Sequence, residues 1–209
     1  MAHYDMLVIG TGPAGQKAAV QAAKLGKKVG IIERKEVVGG VSTNTGTIPS
    51  KALREAVLYL AGFRQRTLYG AEYRLKKTIT IEDLAFRANH VIKNEIEIVQ
   101  NQMARNGIDL IHGEASFIDP HRINIQRAGT TTEHRAHVIV IAVGTEPARP
   151  AEIPFDENTI IDTDGLLTLK YLPTSLVIVG GGVIGTEYAS ILAMIGVPVI
   201  LIDKRPRLL

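Results

Sequence analysis

The chain of 209 residues is 45% hydrophobic and 22% charged, a composition that suits a globular protein with one or two cores and argues against disorder. Its net charge of +3 and pI near 9.1 come from scattered Lys and Arg with no basic run interleaved with aromatics, which argues against a nucleic-acid partner. Without cysteine there is no disulfide framework and no thiolate metal site. The six histidines (His3, His90, His112, His121, His134 and His137) lack ligand spacing, so no metal is expected.

In chain order, Met1 to Asp5 carries no basic n-region, and no signal peptide is read. Met6-Leu7-Val8-Ile9 is a short apolar run of the kind that is buried on both faces of a parallel sheet. Gly10-Thr11-Gly12-Pro13-Ala14-Gly15 follows and opens a helix rich in small residues, and a second strand, Val29 to Ile32, ends at Glu33. Gly10 permits the tight turn, Gly12 lets a pyrophosphate approach the helix N-terminus, and Gly15 allows close packing of helix on strand. Glu33 stands where a carboxylate accepts hydrogen bonds from an adenosine ribose, with Arg34 and Lys35 beside it as further cofactor-binding candidates.

Next comes Gly39-Gly40-Val41-Ser42-Thr43-Asn44-Thr45-Gly46-Thr47-Ile48-Pro49-Ser50-Lys51. The paired glycines admit a flat ligand close to the backbone, and Pro49 fits the first turn of a helix that Ser50 to Leu53 begins, from which Lys51 projects. The stretch resembles G-G-x-C-x-x-x-x-G-C-I-P-S-K, the signature of the flavoprotein disulfide reductases, with Ser42 and Thr47 at the two cysteine positions. Lacking both sulfurs, the chain can form neither an attacking thiolate nor a thiolate beside a flavin. Gly46 to Arg54, G-T-I-P-S-K-A-L-R, is similar at every position to the branch of soluble, Si-specific pyridine-nucleotide transhydrogenases, although members of that branch usually keep a cysteine where Ser42 stands. The resemblance implies FAD held by the first unit, with Gly39, Gly40, Ser42, Thr47 and Lys51 near it, and a catalytic pair of Lys51 with Glu187. Helical geometry agrees: Glu187 lies about 200° around its helix from Gly185, away from its own sheet. The alternative is a surface pair of Lys51 with Glu55.

Thr80-Ile81-Glu82-Asp83 reads as a variant capping box opening a long amphipathic helix with Leu84, Ala88, Val91, Ile92, Ile96, Val99 and Met103 on its apolar face, ended by Gly107. Strands are expected over Ile108 to His112, Ala115 to Ile118, Arg122 to Gln126 and Ala136 to Val143. In the resembled family the turn after the first of these makes a backbone contact to adenine, which falls at Ala115. Ile139 to Pro147 resembles the family's I-I-A-T-G-S-x-P exit from the flavin domain, with Val143 in place of Thr and Gly144 as a cofactor-binding candidate. Pro147, Pro150 and Pro154 mark a linker and set a boundary near residue 150.

The fingerprint then returns. Val177-Ile178-Val179-Gly180-Gly181-Gly182-Val183-Ile184-Gly185 corresponds to the first, Gly196 to Gly26, and Asp203 to Glu33, all at one constant spacing in numbering. Two dinucleotides are implied, one per unit, and hydride transfer between them is the chemistry such a pair supports. Gly180, Gly182, Val183, Ile184, Gly185, Asp203, Lys204 and Arg205 are the expected nicotinamide-dinucleotide residues. The longest apolar stretch, Ile191 to Ile202, is broken by Gly196 and Pro198 and falls short of the roughly 18 residues of a membrane span.

The expected fold is α/β: an FAD-binding Rossmann-like domain over 1–150 followed by the start of a second, NAD(P)-binding domain over 151–209. The chain is expected to be the N-terminal half of a cytoplasmic, FAD-dependent transhydrogenase exchanging hydride between NADPH and NAD, whose family members are homodimers through a domain not contained here. A diaphorase or quinone reductase, or a non-catalytic flavin-binding remnant, are the other readings.

Overall fold

A computed structural model describes residues 2–62 and 79–208. Packing divides the chain into two compact units, Met1–Asn44 with Lys93–Glu146, and Thr45–Ile92 with Pro147–Leu209.

The first unit is built on strand β1 (Ala2–Ile9), helix α1 (Pro13–Lys24) and strand β2 (Val29–Glu33). β2 is buried at all five positions, as a continuous apolar run in a covered parallel strand should be. Strands β3 (Asp109–His112), β4 (Glu114–Asp119), β5 (Arg122–Arg127) and β6 (Thr130–Ile141) complete a six-stranded sheet in the order β3-β2-β1-β6-β5-β4. β3, β2, β1 and β6 run parallel; β5 and β4 add an antiparallel flank. Because side chains alternate along a strand, Val8 and Ile31 face one core with Ala19 and Val20 of α1, while Leu7 and Ile32 face another with Ile123, Ile125 and Ala136. Each of these large aliphatic side chains contributes about 1.5–3 kcal/mol by leaving water. Helix α4 (Ile81–Arg105) supplies Val99 and Met103 to the first of those cores.

Two expectations shift here. β6 starts at Thr130, well before Ala136, because Ala128 and Gly129, both at positive φ, form a two-residue hairpin turn that pairs Arg127 with Thr130. The early residues are all polar, Thr130 to Thr132 exposed and Glu133 and His134 half-buried, so no apolar alternation marks them. Ala115 lies within β4 opposite Ile125; the turn itself is made by Gly113, at φ +149°, where a Cβ would come within 2.5 Å of Ile125.

The second unit contains helix α3 (Thr47–Leu60), the Ile81–Ile92 part of α4, the short helix α5 (Thr163–Leu166), strand β7 (Leu176–Val179), helix α6 (Val183–Met194) and strand β8 (Val199–Ile202). Leu53, Ala56, Val57 and Leu84 share its core with Leu166, Tyr188, Ile191 and Leu192. The capping box forms reciprocally: Thr80 N–H donates to the Asp83 carboxylate at 2.8 Å and Asp83 N–H to the Thr80 hydroxyl at 3.4 Å. β7 and β8 pair in parallel, with Leu176, Ile178 and Val199 against this core and Val177, Val179, Ile200 and Ile202 exposed on the opposite face. α3 begins at Thr47, not at Ser50, so Lys51 sits in its second turn. Pro49 is tolerated inside because the first N–H groups of a helix have no intrahelical acceptor. The preceding Gly40–Asn44 coils into a short helix, α2, in the first unit.

Candidate functional site

The first glycine loop is shaped by contacts that only hydrogen could make. Gly10 sits at φ +105°, and a Cβ there would lie 2.2 Å from the Ala142 carbonyl oxygen; a Cβ on Gly15 would lie 2.0 Å from the Gly10 oxygen. A Cβ on Gly12, in contrast, would meet nothing within 4 Å. Gly12 caps α1 with extended backbone and no side-chain bond, and Pro13 occupies the first turn, so the N–H groups of Ala14 and Gly15 are left at an open helix end. This cradle fits a dinucleotide pyrophosphate.

The second loop repeats the first bond for bond. Gly10 N–H donates to Ile32 O at 2.8 Å, and Gly180 N–H to Ile202 O at 2.8 Å; Gln16 N–H and Thr186 N–H donate to Gly12 O and Gly182 O, both at 3.0 Å. The strand registers correspond too, Met6 opposite Val29 and Leu176 opposite Val199. A Cβ on Gly185 would lie 1.9 Å from the Gly180 oxygen, and Gly182 caps α6 with no side-chain bond while Val183 and Ile184 stay exposed.

The acids that follow are held differently. Glu33 is 7% exposed; its Oε1 accepts from Lys35 N–H at 3.0 Å, and its Oε2 accepts from the Thr11 N–H at 3.3 Å and from the Thr11 hydroxyl. Thr11, fully buried, also accepts from Gly39 N–H at 3.0 Å. Sequence reasoning passed over this residue; the signal was a hydroxyl at a fingerprint position where the second copy has Gly181. Asp203 accepts from Gly181 N–H at 2.6 Å and from Arg205, through N–H at 2.7 Å, Nε at 3.0 Å and an Nη at 3.2 Å. The Arg205 side chain, then the Arg205 and Gly181 N–H groups, hold the Asp203 carboxyl well below the usual carboxylate range.

Arg34 and Lys35 line a polar cleft at the end of β2 with Glu36, Gly113, Glu114 and Arg127. Arg34 pairs with Glu146 at 3.4 Å, Arg127 with Glu36 at 3.0 Å, and His112 Nδ1 donates to the Lys35 carbonyl at 3.0 Å. Gly39 and Gly40 both take positive φ, and a Cβ on Gly40 would come within 2.9 Å of Gly12 Cα. That close approach lays Gly39 and Gly40 on the first glycine loop. Ser42 is half-buried in α2 of the first unit, Thr47 opens α3 of the second, and Gly144, at φ +70°, follows β6.

Within the second unit, Lys51 Nζ pairs with Glu187 Oε1 at 2.7 Å, and Ser50 Oγ donates to Glu187 Oε2 at 3.2 Å. The Glu187 side chain is 19% exposed and that of Lys51 61%, so the carboxylate is anchored and the ammonium reaches outward. Glu55 pairs with Arg54 at 3.6 Å. Burial, then the neighbouring Glu187 and Asp164 charges, push the Tyr188 phenol up to about 12 and keep it protonated beside the pair.

The pyridine nucleotide-disulphide oxidoreductase family matches residues 4–209. The chain belongs to this family. It is 54% identical over 211 residues to a soluble pyridine nucleotide transhydrogenase of Mycobacterium tuberculosis, covering 100% of the chain and 45% of that protein. It is 44% identical over 207 residues to the protein of the same name from Colwellia psychrerythraea, covering 99% of the chain and 44% of that protein. Among solved structures, the Cu(II) complex of the HOCl-induced flavoprotein disulfide reductase RclA from Escherichia coli is similar with a TM-score of 0.83 at 31% identity, over 100% of this chain and 44% of that one. The chain thus spans less than half the length of these relatives, and its α/β, Rossmann-like fold is that of the family. Among the described residues no helix is long and apolar enough to cross a membrane, and no group of three or more His, Asp or Glu could hold a metal ion.

Proposed function

We propose that the protein is an FAD-dependent oxidoreductase that exchanges hydride between NADPH and NAD, residues 1–150 serving the flavin and 151–209 opening the nicotinamide site. The observation that carries this reading is the pair of glycine loops built bond for bond alike, each ending at a carboxylate, in a chain without cysteine. FAD supplies a two-electron store that accepts hydride from one nicotinamide and yields it to another. Gly10, Gly12, Pro13, Ala14, Gly15 and Glu33 would hold its adenosine diphosphate part. Arg34, Lys35, Gly39, Gly40, Ser42, Thr47, Ala115 and Gly144 would contribute further contacts. Lys51, steadied by Glu187, would present a cation to the reacting centre. Similarity to proteins named soluble pyridine nucleotide transhydrogenases supports the reaction; the family's homodimers and a cytoplasmic location are part of the same proposal. Rapid mixing tests it: NADPH should bleach the flavin and NAD should restore its colour, whereas a flavin that NADPH leaves unbleached would reject it.

Two further outcomes are expected. With Ser42 and Thr47 in the redox positions, partial reduction should give no long-wavelength thiolate-to-flavin band, and lipoamide should not be reduced; measurable lipoamide reduction would sink the reading. The second concerns cofactor choice. Because the Arg205 fork and Asp203 occupy one another, a 2′-phosphate must draw Arg205 away, and a ribose must share the carboxylate. Asp203→Asn should therefore shift the affinity ratio roughly tenfold toward NADP, and Arg205→Ala by a similar factor toward NAD. Paired titrations of both nucleotides read the ratio, and an unchanged ratio in both variants would place the choice elsewhere.

A further inference from the structure

The two fingerprint loops share their backbone bonds and differ at one chemically decisive position, Thr11 against Gly181. An ionised carboxylate offers about four acceptor sites, two on each oxygen. At Glu33, Oε2 has both of its sites filled by Thr11, one by the N–H and one by the hydroxyl, and Oε1 has one filled by Lys35 N–H. Among the described residues, a single acceptor site is left, on Oε1. The Thr11 hydroxyl has spent its proton on Glu33, so it can only accept from Gly39 N–H, and that bond runs in the required direction. The chain from Gly39 through Thr11 to Glu33 is therefore directional, and every group in it is buried.

We infer that Thr11 is a positioning residue for the adenosine end of the cofactor. Acting through Glu33, it fixes the carboxylate so that one ribose hydroxyl, not two, is accepted, through Oε1. It also ties that setting to the Gly39–Gly40 segment, whose backbone approaches Gly12. In the second loop Gly181 has no hydroxyl, and Arg205 takes up the Asp203 oxygens instead. The inference rests on the reading that the first loop holds the adenosine ribose of FAD.

The test is FAD affinity of the apoprotein, read by flavin fluorescence, for wild type, Thr11→Ser, Thr11→Val, Glu33→Gln and the double variant Thr11→Val with Glu33→Gln. Thr11→Val should bind FAD roughly tenfold or more weakly, Thr11→Ser within about twofold of wild type, and Thr11→Val should add no loss once Glu33 is already Gln. Wild-type affinity in Thr11→Val, or losses that multiply in the double variant, would overturn the role of Thr11 alone. Wild-type affinity in Glu33→Gln would overturn the ribose reading and the inference with it. A second measurement needs no variant: FAD analogues lacking the adenosine 2′- or 3′-hydroxyl are titrated into the wild-type protein. One analogue should lose roughly tenfold and the other no more than about twofold. Equal losses from both would show a two-hydroxyl contact and overturn the single-acceptor geometry.

Discussion

Gly15→Ala is expected to lower the unfolding free energy by about 3 kcal/mol, because the added methyl would sit 2.0 Å from the Gly10 carbonyl oxygen and no rotamer can move a Cβ. The neighbours that would have to yield are backbone, Gly10, and the buried Val8 of the central strand. Gly10→Ala should cost at least as much, since contact with Ala142 O is added to a left-handed φ that costs roughly 1–3 kcal/mol for a residue with a side chain. Against a total stability of about 5–15 kcal/mol, either change removes a large share. Gly12→Ala is the informative contrast. Its Cβ would stand in open space, so the urea midpoint should stay near wild type while the cradle fills and dinucleotide affinity falls. Urea unfolding of the three variants decides, and a wild-type midpoint for Gly15→Ala would rule out the close helix-to-strand approach.

The second large effect is kinetic. On the proposed chemistry, Glu187→Gln should slow the single-turnover reduction of bound flavin by NADPH about 100-fold, the scale of a catalytic group displaced by about 1 Å. Glutamine keeps the shape and can still accept from Ser50, but it carries no charge to hold the Lys51 ammonium, which is already more than half exposed at the end of four methylenes. FAD affinity, measured in parallel, should change little, since Glu187 belongs to α6 and the FAD cradle to α1. An unchanged rate would remove the pair from the chemistry and leave it as a tie between α3 and α6.

What could be read from the chain beforehand follows from how local the cause is. The strand, glycine turn, helix, strand and acid of each loop unit are set by short apolar runs and by glycines whose substitution meets backbone, so both copies stood out, together with their constant spacing. The apolar face of α4 was equally legible, because Leu84, Ala88, Val99 and Met103 recur at helical spacing and are all buried. The hydrophilic start of β6 was not: its pairing is imposed by the hairpin turn and by β5, and Thr130 to Arg135 show no period. The start of α3 was misplaced because Pro favours the very start of a helix, whereas Pro49 stands at the third helical position, still within the first turn. For the Lys51–Glu187 contact, helical geometry and the family motif pointed the same way. Arg205 folded back on Asp203 and the hydroxyl bridge of Thr11 depend on rotamers and on segments distant in sequence, which no local pattern encodes.

The contrast between the two carboxylates carries a kinetic meaning. Glu33 is held by the buried Thr11 and by the backbone N–H of Lys35, so a ligand engaging it finds the acceptor already aimed and leaves without any side chain having to swing back. Asp203 is held by a half-exposed arginine that must be rearranged at each arrival and can return at each departure. Since affinity differences among related sites reside mainly in dissociation, the first loop suits a guest with a long residence time and the second a guest that comes and goes with every turnover. On the proposed function, one duplicated framework thereby provides a resident and a visitor, separated by what stands behind a single acid.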